Sequence, residues 1–157
     1  MKKLLAALDQ QFQQIHCRSA EFIKLVPTEK LYWQPRPKEA LFPVNSCGEF
    51  ILRSAAAVEQ TFGGITRRLW DDPFEWTLPE TLADGDLILD YLEEVEATRG
   101  RGFALFRTDE DLRREIPAPE KLKTLFALLL ETLARAENLQ GRAVALARLF
   151  SAQKPNA

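Results

Sequence analysis

Leu5, Leu8, Phe12, Ile15, Ser19, Phe22 and Val26 follow one another at alternating spacings of three and four. A helix turns once every 3.6 residues, so this spacing sets all seven on one side of a single helix. The stripe is narrow, as expected for the seam of a bundle helix lying nearly parallel to its neighbours. Pro27 is the natural stop, because it lacks the amide hydrogen a helix needs.

Three further segments carry the same period. Ser46 is a good N-cap, and Glu49 three residues later completes a capping box. The helix it starts runs through Phe50, Ile51, Ala55, Val58 and Phe62 to Gly63-Gly64, a pair that either ends it or lets a neighbour approach closely. Helix is expected as far as Arg68 or Trp70. Asp84 caps a third helix with Leu87, Ile88, Tyr91, Leu92 and Val95 on its face. Gly100 and Gly102 weaken it, but Phe103 and Phe106 resume the face and carry it to Arg107. Residues 109–116 read as a short amphipathic linker. Pro119 and Glu120 favour the first turn of a fourth helix through Leu122, Phe126, Leu129, Leu133, Ala136, Ala143, Leu146 and Phe150. No alternating run suggests a strand. The expected fold is an all-α four-helix bundle over residues 1–151, with a polar fraying tail over 152–157.

The connections are long and unusual. Tyr32-Trp33-Gln34-Pro35-Arg36-Pro37 and Asp71 to Pro79, with Phe74 and Trp76, combine prolines with large aromatics. Such side chains belong against an end or flank of the bundle.

Charge excludes some functions. The 21 basic and 23 acidic residues are interleaved and leave a net charge of −2, without the basic stripe that nucleic acid requires. Arg99, Arg101, Arg107, Arg113 and Arg114 are interrupted by Asp109, Glu110 and Asp111, the pattern of a solvated surface. The apolar run after Met1 breaks at Asp9, too short for a signal peptide, and no stretch reaches the ~20 apolar residues that span a bilayer. Cys17 and Cys47 read as unpaired thiols. A cytoplasmic protein, without nucleic-acid or membrane partner, is expected.

The chemistry-bearing motifs are few. Phosphate loops of Walker or Rossmann spacing, Cys-x-x-Cys and His-Glu-x-x-His are all missing. The one histidine, His16, adjoins Cys17, but neighbours on a helix point about 100° apart and do not face each other. Two readings stand for His16: a surface or seam-edge histidine, or one that lines a pocket. Glu93, Glu94 and Glu96 read as a wet helix face, and no inward Glu-x-x-His pair is present.

Trp33-Gln34-Pro35-Arg36-Pro37, followed by Ser46-Cys47-Gly48-Glu49-Phe50-Ile51-Leu52-Arg53, resembles the DinB/YfiT-like superfamily. That family has a tryptophan-proline loop and then a helix reading roughly Ser-x-x-Glu-x-x-x-His. The stretch from Asn138 to Arg148 resembles the family's closing signature, with Gly141, Leu146 and Arg148 in register. Helix order and connection lengths extend the likeness over nearly the whole chain.

The resemblance implies a divalent metal held by one histidine of the second helix and two of the fourth. Those positions are Arg53, Arg135 and Leu139 here. Arginine stays protonated and leucine has no donor atom, so the metal cofactor is expected to be lost. His16 cannot restore the site. Two guanidinium groups in the old pocket must pair with carboxylates, bind an anion or be exposed, and Glu49 is an i,i+4 partner for Arg53. Three functions follow. The leading one is a module that binds a small anionic ligand or a protein partner, with Arg53, Arg135, Glu49, His16 and Trp33 as its candidate binding residues. The second is a thiol-dependent transferase or hydrolase working without metal, with Arg53, Arg135, Glu49 and His16 in one cleft. The third is a structural homodimer that uses Trp70, Phe74 and Trp76 as a patch.

Overall fold

The computed structural model describes residues 1–34, 45–73 and 77–152, with side chains as far as residue 149. The loop residues Pro35, Arg36 and Pro37, the aromatics Phe74 and Trp76, and the tail from 153 lie outside the described residues. Four long helices account for most of the chain: α1 (Lys3–Leu25), α2 (Cys47–Arg67), α3 (Gly85–Ala104) and α4 (Leu125–Ala152). A two-stranded antiparallel sheet, β1 (Glu115–Pro117) and β2 (Leu122–Thr124), precedes α4.

The helix ends follow local chemistry. Val26 leaves α1 in an extended conformation, as a residue before proline must. The Ser46 Oγ accepts from Glu49 N at 3.2 Å and the Glu49 carboxylate accepts from Ser46 N at 3.3 Å, closing the expected capping box. Asp84 Oδ1 accepts from Leu87 N at 2.9 Å and starts α3. The start of α1 has no cap of its own. Asp109, in the 3-10 turn Asp109–Arg113, reaches across to accept from Leu4 N at 3.1 Å and Leu5 N at 3.0 Å. Those hydrogen bonds hold its carboxyl below the usual carboxylate range.

Two expectations are corrected. α3 stops at Ala104, not Arg107: Leu105 N and Phe106 N tighten onto Gly102 O and Phe103 O, and Asp111 then takes Arg107 N and Thr108 N. Phe106 still reaches the core, at 1% exposure. Pro119 does not open α4. Residues 118–121 make the turn of the hairpin, Glu115 pairs with Thr124, and Thr124 Oγ1 accepts from Ala127 N at 3.1 Å at the true start. Short segments pinned by a turn do not need a long alternating run to pair.

α2 packs against α3 and α4, and α1 against α3 and α4, so α1 and α2 are diagonal. Five of the seven seam residues of α1 are buried, Leu5, Leu8, Phe12, Ile15 and Ser19; beyond them Ile23 takes the buried position, and Phe22 and Val26 are only partly buried against the core. Phe12, Phe62, Phe103 and Phe106 form an aromatic cluster, edge-to-face except for the tilted Phe62–Phe103 pair, with Phe12 and Phe62 centroids 5.2 Å apart at 83°. Gly102 makes this cluster possible, since a Cβ there would press within 3.0 Å of the Phe62 ring. Polar ties cross the seams. Ser54 Oγ donates to Ala136 O at 2.8 Å, Thr61 and Thr132 share a hydroxyl pair at 2.7 Å, and Gln140 Nε2 donates to Ile15 O and Ser19 Oγ, both at 2.8 Å. Among the described residues no helix is long and apolar enough to cross a membrane.

Candidate functional site

On α2, Arg53, Ala56, Ala57 and Gln60 recur at helical spacing, and on α4 so do Arg135, Asn138, Leu139 and Arg142. Because α2 and α4 are neighbours, the two rows face one cleft of about 430 Å³, with Asp72 and Thr77 supplied by the α2–α3 connection. Ala56 and Ala57 are buried, and their small side chains leave the space that larger ones would fill. Ser54 on the inner face ties α2 to the α4 backbone, which keeps the two rows in register.

Arg53 and Arg135 are both exposed in the cleft lining, so neither guanidinium bears the cost of burial. Among the described residues of the lining, three arginines stand with one carboxylate, Asp72. Neither Arg135 nor Arg142 forms an ion pair with a described residue. The Thr77 side chain is buried, and with the amides of Gln60 and Asn138 it adds neutral hydrogen-bonding groups.

The expected site residues separate. Arg53, Arg135 and Leu139 share the cleft. Glu49 borders a smaller recess of about 120 Å³ that shares Arg53 and Thr77 with the cleft, and its carboxylate is engaged by the Ser46 cap. His16 and Trp33 are not among the described residues that line the cleft. His16 Nε2 lies 3.3 Å from Glu93 Oε1, which puts the histidine at the α1–α3 seam. Diagonal packing of α1 and α2 makes this inevitable, because a residue at the α1–α3 seam cannot also reach the α2–α4 seam. His16 therefore does not stand beside Arg53 and Arg135. Trp33 packs on the core, with Lys30 Nζ 5.9 Å from its ring centroid.

Arg142, Gln60, Asp72 and Thr77 were not anticipated. Arg142 follows Arg135 by seven residues and Gln60 follows Arg53 by seven, two helical turns in each case, so both were within reach of the spacing argument. Asp72 and Thr77 carry no such signal, since only the path of the connection brings them in.

The cleft does not fit the metal that the resemblance implies. Its residues at the three ligand positions offer no lone pair, and among the described residues no three His, Cys, Asp or Glu side chains gather to hold an ion. The thiols are equally remote. Cys17 is exposed, whereas Cys47 is buried against the carbonyls of Lys30 and Leu31, and burial pushes its pKa up. No known protein family, no curated protein and no solved structure matches this chain.

Proposed function

We propose that this chain is a DinB-like four-helix bundle that has exchanged the family's metal site for an anion site between α2 and α4. One observation carries the reading: Arg53, Arg135 and Arg142 line a single cleft in which, among the described residues, Asp72 is the only carboxylate. Two of these arginines stand where the resemblance puts metal ligands. Guanidinium keeps its charge and presents parallel donors, which suits a carboxylate or phosphate group held through two oxygens. The ligand is a small anion, and the protein binds it without metal chemistry.

Calorimetric titration with inorganic phosphate and with citrate tests this. Hydrogen bonds to charged groups contribute roughly 1.5–3 kcal/mol, so Arg135→Ala and Arg142→Ala should each weaken binding by about tenfold or more. Raising the salt concentration should weaken it further by screening. Failure of both anions to bind, or affinities indifferent to both substitutions, would overturn the reading.

A further inference from the structure

The cleft continues past Arg135. A second recess of about 350 Å³ runs along the α2–α4 seam and shares Ala57, Gln60 and Arg135 with the first. One of its walls is Trp70.

Trp70 is held by three features of the chain. A Cβ on Gly64 would fall within 3.0 Å of three adjacent indole carbons, all at nearly the same distance. Near-equal distances to adjacent ring atoms mean that the ring lies face-on to α2, and only glycine leaves room for it. Arg68 adopts a left-handed φ of 57°, which turns the chain back over the helix it has just left. Gln60 Nε2 then donates to Trp70 O at 3.0 Å. The indole remains half-buried, and it borders the recess.

The far end of the recess differs in charge from the arginine end. Lys123 is paired with Glu131 at 2.5 Å, and Glu120 stands beside them. An anionic group therefore belongs at Arg135, Arg142 and Arg53, and whatever is attached to it extends along Trp70. The recess has the volume of a small-molecule pocket, for which ~300 Å³ is the lower end.

We infer that the ligand is an aromatic oxyanion, a flat ring bearing a carboxylate or phosphate group. Its acidic group sits among the arginines and its ring lies beside Trp70. This rests on the anion site proposed above and adds the chemistry of the rest of the ligand.

Phenyl phosphate, cyclohexyl phosphate and inorganic phosphate serve as probes of the intact chain. They share the anion and differ in the presence and flatness of the ring. Phenyl phosphate should bind roughly three- to tenfold tighter than cyclohexyl phosphate, the range expected of an aromatic contact. Trp70→Leu should abolish that preference and leave inorganic phosphate affinity unchanged, while Arg135→Ala should weaken all three. Gly64→Ala, which displaces the ring without removing it, should also erase the preference. In the wild-type chain, nuclear Overhauser contacts between the phenyl protons and the Trp70 indole give a readout that needs no variant to fold. A phenyl preference absent from the wild type, one that survives Trp70→Leu, or missing contacts to Trp70 would overturn the inference while the anion site stands. If none of the three probes binds, both readings fail together.

Discussion

At the residue scale, the glycines of the helices serve opposite purposes. Gly102 gives way to the Phe62 ring, which is fully buried and hemmed in by Phe12 and Phe103. Gly100, two residues earlier, has nothing within 4 Å of the space a Cβ would take. Alanine at Gly100 should therefore stabilise the protein by up to about 1 kcal/mol through helix propensity alone. At Gly102 the same change meets an overpacking penalty of about 1–3 kcal/mol, so Gly102→Ala should be the less stable of the two in urea denaturation. Equal stability would mean that Phe62 can move aside. Thr61 and Thr132 make a similarly unequal pair. Thr132 Oγ1 donates to Leu128 O at 2.8 Å, which leaves Thr61 to donate to Thr132. Thr132→Val strips the buried Thr61 hydroxyl of its acceptor and should cost about 1–3 kcal/mol, whereas Thr61→Val leaves Thr132 satisfied and should cost less. Thermal melts of the two variants decide it, and a reversed order would assign the donor the other way. The same scale holds what the lone histidine amounts to: a partner for Glu93 at a helix seam, not part of the cleft.

At the element scale, α1 and α3 are joined through one buried cation. Arg99 is 5% exposed, donates to both Glu96 oxygens at 2.9 and 2.6 Å, pairs with Asp9 of α1, and stacks 5.4 Å from the Phe103 ring centroid. Burial works against its charge, but the two carboxylates outweigh burial and raise its pKa above the ordinary value. Breaking a fully buried pair costs about 3–5 kcal/mol, and the partly wet Asp9 and Glu96 bring the expected loss for Arg99→Ala to about 2–3 kcal/mol in chemical denaturation. A loss below about 1 kcal/mol would class the cluster with ordinary surface pairs. In the sequence, Arg99 read as one member of a solvated basic run, because periodicity places a residue on a face but says nothing of what lies opposite. α4 begins at Leu125 for a related reason. Pro119 is compatible both with a first helical turn and with a hairpin turn, and the pairing of Ile116 with Lys123 selects the hairpin.

At the scale of the whole molecule, the start of α1 is finished by a residue over a hundred positions away. Asp109 supplies the acceptor that Lys2 lacks, and Lys2 Nζ returns a hydrogen bond to Phe106 O at 3.1 Å. Because folding lowers the Asp109 pKa, its contribution is complete above the unfolded value of about 3.9 and is lost as pH falls through the lower folded value. Stability measured from pH 6 down to pH 2 should fall less steeply in Asp109→Asn than in the wild type, and parallel curves would remove Asp109 from the acid response. The sequence by itself determined the mostly helical class, the stop at Pro27, the caps at Ser46 and Asp84, and most of the buried face of α1. These depend on contacts within a few residues, which spacing and side-chain chemistry express directly. A resemblance singled out Arg53, Arg135 and Leu139, and the structure brings these three into one cleft. Only the tertiary structure decided that α1 lies diagonal to α2, which removes His16 from the cleft, and that the chain folds back at Arg68 to lay Trp70 on Gly64. Those outcomes turn on which helix faces meet and where a connection travels, and both are settled by packing between residues far apart in the chain.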